Sequence, residues 1–320
     1  MTVTSEPDQR AAEADSGLML SLSDITVRFG GITALGGVSF DAKKGEVLGI
    51  IGPNGAGKTT LFDVISGVRS PNDGKVVLDG KDVTSASSTG RARAGLRRTF
   101  QRVQAFGWLS VEDNVLAAIE WRGGGGGFMA DLVYSPTRRK REKERRVRVE
   151  EVLDRCGLIP VRKELAGSLP IGVARMVELA RAIVDEPKLL LLDEPASGLD
   201  ETETARLGEQ IQAVRNDFGC AVLLVEHNAG FVMEQSDRVV VLNLGTKLAE
   251  GLPEEIQKNQ AVRDAYLGET LDPEKPAPAA VGSSAPPAPG AEPPPAPDTD
   301  PPPDAPTTDA SSDTDPTSAE

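Results

Sequence analysis

Gly52-Pro53-Asn54-Gly55-Ala56-Gly57-Lys58-Thr59 is the stretch on which the fold turns. It fits G-x-x-x-x-G-K-[ST] and follows Val47-Leu48-Gly49-Ile50-Ile51, an apolar run that reads as a buried strand. Glycines let successive backbone N–H groups turn inward around a phosphate, in conformations where a Cβ would clash. A helix expected over 58–65 presents the positive end of its dipole to the same anion. Lys58 adds a full charge at the β- and γ-phosphates. The Thr59 hydroxyl, with Thr60 beside it, stands where Mg2+ is ligated. With a strand before it and a helix after it, the pattern marks a nucleoside-triphosphate site rather than a chance glycine turn.

Working outward, 189–192 is a second buried-strand candidate that runs into Asp193-Glu194-Pro195. Alone, such an acidic pair is a solvated loop. Beside a phosphate loop it suggests Asp193 on Mg2+, directly or through water, and Glu194 polarising the attacking water. Further strand candidates lie at 221–225 and 239–242, and their continuous apolarity suits a parallel sheet covered on both faces. Nearer the N-terminus, Leu20, Leu22, Ile25 and Val27 suggest a strand, as does 38–40. Residues 75–78 read as a strand entering a tight turn at Asp79-Gly80. Helices are expected over 111–121, 138–156 and 171–184, with the five glycines 123–127 as a flexible break.

The chain has 320 residues, room for one large or two modest domains, and 24 prolines with a net charge of -14. Residues 271–320 hold 15 of those prolines and ten Asp/Glu against one Lys, and the first 17 residues are acidic as well. Residues 1–17 and 270–320 therefore read as disordered, leaving a nearly neutral folded domain over 18–269. That middle lacks the basic face a general nucleic-acid binder needs. Cys156 and Cys220 are too few for a disulfide framework or a structural zinc site, and His227 is the sole histidine. No apolar run approaches the ~18 residues that span a bilayer. Acidic residues stand where a signal peptide would be basic, so the expectation is a cytosolic protein.

Taken in order, these segments resemble the ATP-binding subunit of an ABC transporter over roughly residues 20–269. The resemblance implies an α/β P-loop ATPase core with a mostly parallel sheet, an N-terminal antiparallel β-subdomain and a helical subdomain near 97–180. Phe29 matches the aromatic residue on which adenine stacks, against the alternative of core packing. Gln101, in Arg98-Thr99-Phe100-Gln101, matches the glutamine that senses Mg2+ and the attacking water. Leu169-Pro170-Ile171-Gly172-Val173 stands where the signature, usually Leu-Ser-Gly-Gly-Gln, belongs. Asp200, in Ser197-Gly198-Leu199-Asp200, matches the loop that crosses a dimer. His227, after the 221–225 strand, matches the histidine that contacts the γ-phosphate.

Arg98-Thr99-Phe100-Gln101, the charged 138–156 helix, the unusual signature and the ending Arg263-Asp264-Ala265-Tyr266-Leu267-Gly268-Glu269 are similar to the ATPases of branched-chain amino-acid importers. The implied cofactors are ATP and Mg2+. The implied partners are two integral membrane permease subunits, a second ATP-binding subunit and an extracytoplasmic solute-binding protein, with the chain on the inner face of the membrane. An ATPase of another ABC system, such as a lipid exporter, shares the nucleotide motifs. Soluble non-transport relatives commonly carry two ATPase units or a long coiled coil, and neither is present here. A GTPase would need an Asn-Lys-x-Asp guanine reader, which does not occur.

Pro170 departs from the family's serine and supplies neither hydroxyl nor N–H to a γ-phosphate. Proline is tolerated where a helix begins, so the expectation is an intact helix and a slower but active ATPase. Residues 138–148 carry eight basic and two acidic side chains. They read as a solvated face with i,i+3 and i,i+4 pairs in preference to a lipid-headgroup contact.

Overall fold

The computed structural model describes residues 17–120 and 136–266. The chain divides after Ala277 into two units, and all described residues belong to the first. The acidic first 16 residues, the glycine run 123–127 and the proline-rich 270–320 lie outside the described residues.

Two sheets organise the described unit. The first is antiparallel, in the order β2-β1-β4-β5. Its strands are β1 (Leu18–Phe29), β2 (Ile32–Lys43), β4 (Asp73–Leu78) and β5 (Lys81–Asp82). Leu20, Leu22, Ile25 and Val27 are buried as expected. The β4–β5 turn at Asp79-Gly80 has φ of 48° and 72°, the left-handed pair that a two-residue hairpin favours.

The second sheet has six strands in the order β10-β9-β3-β8-β7-β6. They are β3 (Val47–Ile51), β6 (Leu96–Arg98), β7 (Leu189–Asp193), β8 (Ala221–Val225), β9 (Arg238–Asn243) and β10 (Thr246–Gly251). The pairings among β9, β3, β8, β7 and β6 are parallel, and β10 closes one edge antiparallel. Every residue of β3, β7 and β8 is buried, which is why their sequences show no alternation. The alternation reappears in the destination of the side chains. Val47, Ile51, Leu190, Leu192, Val222 and Leu224 enter one core, while Leu48, Ile50, Leu189, Leu191, Leu223 and Val225 enter the other.

The helices cover those two faces. On the side of the antiparallel sheet lies α1 (Lys58–Ser66), with α2 (Ser88–Arg93) against its C-terminus. On the other side lie α3 (Val111–Glu120), α4 (Pro136–Arg155), α5 (Ile171–Ile183), α6 (Glu201–Phe218) and α7 (Ala229–Gln235). Two short helices, α8 (Pro253–Lys258) and α9 (Gln260–Ala265), finish the described chain.

Arg91 of α2 is fully buried, and its guanidinium donates to the carbonyls of Val64 and Ile65 at the end of α1, and of Thr84 and Ala86. The phosphate-loop helix is thereby fastened at its far end by a charged group with carbonyl partners throughout. The C-terminal part of α4 buries Val149, Val152 and Leu153. Its charges pair within the helix, Arg146 with Glu142 at 3.0 Å and Arg148 with Glu151 at 3.3 Å, and beyond it, Arg148 with Glu186 after α5 at 2.7 Å. Cys156 and Cys220 are both buried free thiols, pushed up to about 12 by desolvation. Neither is a reactive group.

Candidate active site

The carboxyl ends of β3, β7 and β8 lie side by side, the place where open parallel sheets collect their ligand-binding loops. Residues 52–57 leave β3 and enter α1. A Cβ on Gly52 would lie 2.3 Å from the Leu242 carbonyl oxygen of β9, so only glycine lets the loop pass there. Gly57, the N-cap of α1, has φ of 101°, a left-handed conformation that costs L side chains energy. The Ala56 carbonyl accepts the Gly245 N–H at 3.1 Å, pinning the loop from the β9–β10 turn.

No side chain caps α1 and no acid occupies its first turn, so no internal carboxylate neutralises its positive end. Lys58 Nζ lies over the loop and donates to the carbonyls of Gly52 and Pro53. Asn54, Gly55 and Thr59 are exposed, and Thr60 is half-buried on the same first turn. This combination of an open helix start, an adjacent ammonium and an exposed hydroxyl fits a triphosphate carrying a hard divalent cation.

Glu194 follows β7 with φ of 50°, an uncommon conformation for a non-glycine residue. Its carboxylate is where two distant segments converge. Gln101 Nε2 donates to Glu194 Oε2 at 2.8 Å, and His227 Nε2 lies 2.8 Å from Glu194 Oε1. Of the three residues expected from sequence to act on the attacking water and γ-phosphate, Gln101 and His227 thus both contact Glu194.

Asp193 is buried at the end of β7. Desolvation pushes its carboxyl up, and the Arg98 guanidinium acts against that, donating to Asp193 Oδ2 at 2.9 Å and to Asp63 Oδ1 at 2.7 Å. Arg98 links α1, β6 and β7 in one ionic contact. Thr59, Asp193 and Gln101 supply hydroxyl, carboxylate and amide groups, whose oxygens are the hard donors Mg2+ uses when phosphate and water complete its shell.

The loop carrying Gln101 is held from α5. Arg175 donates to the carbonyls of Phe100 and Gln101 at 3.1 and 2.6 Å, and Glu178 Oε1 accepts the Phe100 N–H at 3.3 Å. Burial pushes the Glu178 carboxyl up. Sequence reasoning missed Arg98, Arg175 and Glu178 as supports. Arg98 lay within a quoted motif, but its pairing to Asp63 and Asp193 is a tertiary contact that no spacing announces.

The remaining site residues lie apart from this cluster. Phe29 ends β1 and is 41% exposed, which removes the core-packing alternative; the Arg69 guanidinium sits 4.2 Å from its ring centroid. Pro170 is the N-cap of α5, one place ahead of the helix, and the Ala174 N–H bonds its carbonyl at 2.9 Å. The helix survives the proline, as expected. Leu169 packs against the core, Ile171 is half-exposed, and Gly172 is buried, with a Cβ there colliding with Glu203 Oε1 at 1.9 Å.

Asp200 caps α6. Its Oδ1 accepts the Glu203 N–H at 2.8 Å, and Glu203 Oε2 accepts the Asp200 N–H at 3.1 Å. That reciprocal box was legible as Asp200-Glu201-Thr202-Glu203, yet α6 was not anticipated because its sequence is polar over most of its turns.

Comparison with known proteins bears on this geometry. The ABC transporter family profile matches residues 35–197, and a profile described as branched-chain amino acid ATP-binding cassette transporter matches 246–272. The high-affinity branched-chain amino acid transport ATP-binding protein BraF of Pseudomonas aeruginosa is 39% identical over 251 residues, 78% of this chain and 98% of that protein. LivG of Escherichia coli, described in the same words, has the same identity and coverage. Among solved structures, the ADP conformation of MJ1267, an ATP-binding cassette of an ABC transporter, superposes with a TM-score of 0.68 at 30% identity. It covers 79% of this chain and 99% of that one.

Proposed function

The chain belongs to the ABC transporter family and is an ATPase with the α/β P-loop fold, and from that premise we propose that it powers an importer of branched-chain amino acids or a related small solute. The likeness to BraF and LivG along nearly their whole length, together with the C-terminal match at 246–272, supports the importer branch. Among the described residues, no helix is long and apolar enough to cross a membrane. In this reading the chain works on the inner membrane face, against two permease subunits that receive solute from an extracytoplasmic binding protein.

Two such subunits, or one with a related partner, close head to tail around two ATP molecules. Each triphosphate lies between residues 52–59 of one copy and residues 169–173 of the other, with Asp200 at the seam and Phe29 under the adenine. Thr59, Asp193 and Gln101 would hold Mg2+, which would neutralise the charge that develops on the phosphates. Glu194 takes a proton from the attacking water, and His227 holds the γ-phosphate. The convergence of Gln101 and His227 on the Glu194 carboxylate is the observation that carries the mechanism. ATP favours the closed pair through γ-phosphate contacts that ADP lacks, so hydrolysis releases the seam and resets the permease.

Co-purification with the membrane subunits, followed by ATPase assays in the presence of the binding protein, tests the reading. Stimulation by leucine, isoleucine or valine, or by urea or an amide, is expected. Stimulation by lipid alone would contradict it.

A further inference from the structure

Glu226 is a buried carboxylate, 5% exposed, to which no role has yet fallen. The ladder between β7 and β8 ends at the pair Asp193 and Val225, and the last backbone bond runs from Glu194 N–H to Val225 O at 2.9 Å. Beyond that point the two strands become loops, one carrying Glu194 and the other His227. Glu226 spans them with its two oxygens. Oε1 accepts the Ala196 N–H at 2.6 Å, and Oε2 accepts the His227 N–H at 3.1 Å.

We propose that Glu226 is a positioning residue that continues the β7–β8 ladder with its side chain and so fixes Glu194 and His227 against each other. The proposal rests on the roles given above to those two residues. A carboxylate is suited to this because it accepts two N–H donors on separate oxygens without bringing a donor of its own. A glutamine of the same shape keeps one acceptor and turns an NH2 group toward the other N–H.

The groups facing Glu226 define how it responds to pH. Glu194, from the loop after β7, disfavours its charge, Arg175 of α5 favours it, and His227 follows it in the chain. Burial is the largest influence and pushes the carboxyl up to about 7. Protonation places a hydrogen on one acceptor, so the clamp is complete above that value and loosens as the pH falls through it. The sign for folding is opposite. A carboxyl raised from its unfolded value loses stability as the pH rises toward 7, because the buried charge must then be carried.

The experiment compares full-length wild type, Glu226→Gln, Glu226→Ala and Glu194→Gln for Mg-ATP turnover, nucleotide affinity and melting temperature between pH 6 and 9. Glu226→Gln is expected to lower kcat by about tenfold with KM for ATP within about twofold, and to melt no lower than wild type at pH 8. Its rate is expected to lose the limb that wild type shows as pH drops below 7, and Glu226→Ala is expected to be slower still. Unchanged kcat in Glu226→Gln, or a loss that tracks a falling melting temperature, would overturn the strut alone provided Glu194→Gln is inactive. Full turnover in Glu194→Gln would instead overturn the roles on which the strut depends.

Discussion

The molecule contains two open helix starts aimed at phosphate in the proposed dimer, and they are built differently. Residues 52–59 bring their own electrostatics: a left-handed Gly57, an uncapped first turn without acid, and the Lys58 ammonium over the loop. Residues 169–173 share the uncapped, acid-free first turn but bring neither a left-handed glycine nor an ammonium. Leu169, Pro170, Ile171, Gly172 and Val173 carry no charge, and the Glu203 carboxylate lies against Gly172. In the proposed dimer the first start adds a full positive charge to its open helix end, whereas the second offers an anion its helix end alone. In the proposed dimer, phosphate contact there is favourable when a neighbouring subunit delivers the nucleotide already bound. Under that proposal the asymmetry lets closure depend on ATP rather than compete with it for binding.

Substitutions sharpen or break this contrast, and the largest effect is expected away from both starts. Glu194→Gln should lower the turnover of Mg-ATP by about 10²- to 10⁴-fold, the range for a general base, while leaving nucleotide affinity intact. Phosphate release and equilibrium binding of a fluorescent ATP analogue separate the two quantities, and an unaffected rate would remove Glu194 from its role.

Pro170→Ser comes next. Restoring one hydroxyl donor at the cross-subunit start should raise kcat, by up to about a hundredfold, with the affinity of the isolated subunit unchanged. A gain in monomer affinity instead would mean that the two starts do not divide the work as described. Lys58→Ala should have the reverse signature, weakening binding by about tenfold to a hundredfold as one charge-assisted contact is lost. Isothermal titration would read it directly. The smallest effect belongs to truncation after Thr270, which should leave the specific ATPase rate within about twofold of the full chain. A large loss would assign the acidic, proline-rich segment a part in the cycle.

Much of this architecture was legible in the sequence, and what was not has physical causes. Segments 47–51, 189–192 and 221–225 announce themselves because burial on both faces leaves no polar position in them. The Gly52 to Thr59 loop is legible because most of its requirements are local, a positive φ at Gly57 and a charge at Lys58 within eight residues, although the carbonyl that demands glycine at position 52 belongs to distant Leu242.

The hydrolysis cluster was only half legible. Gln101, Glu194 and His227 could be nominated singly, but their contact depends on strands 93 and 33 positions apart in the chain falling into register. Three-residue β6 was too short to show a pattern, although it delivers Arg98 to Asp193. Glu226 stood in plain view before His227. Its meaning lies in an N–H thirty residues away, which no periodicity reports.

Everything turns on whether nucleotide joins two copies across the unlike starts. The direct measurement is the mass in solution of full-length Glu194→Gln by multi-angle light scattering, with Mg-ATP and with Mg-ADP. A dimer in ATP and a monomer in ADP are expected, with Lys58→Ala introduced into the same chain abolishing the dimer. A monomer at saturating ATP, or a dimer indifferent to which nucleotide is present, would contradict the account.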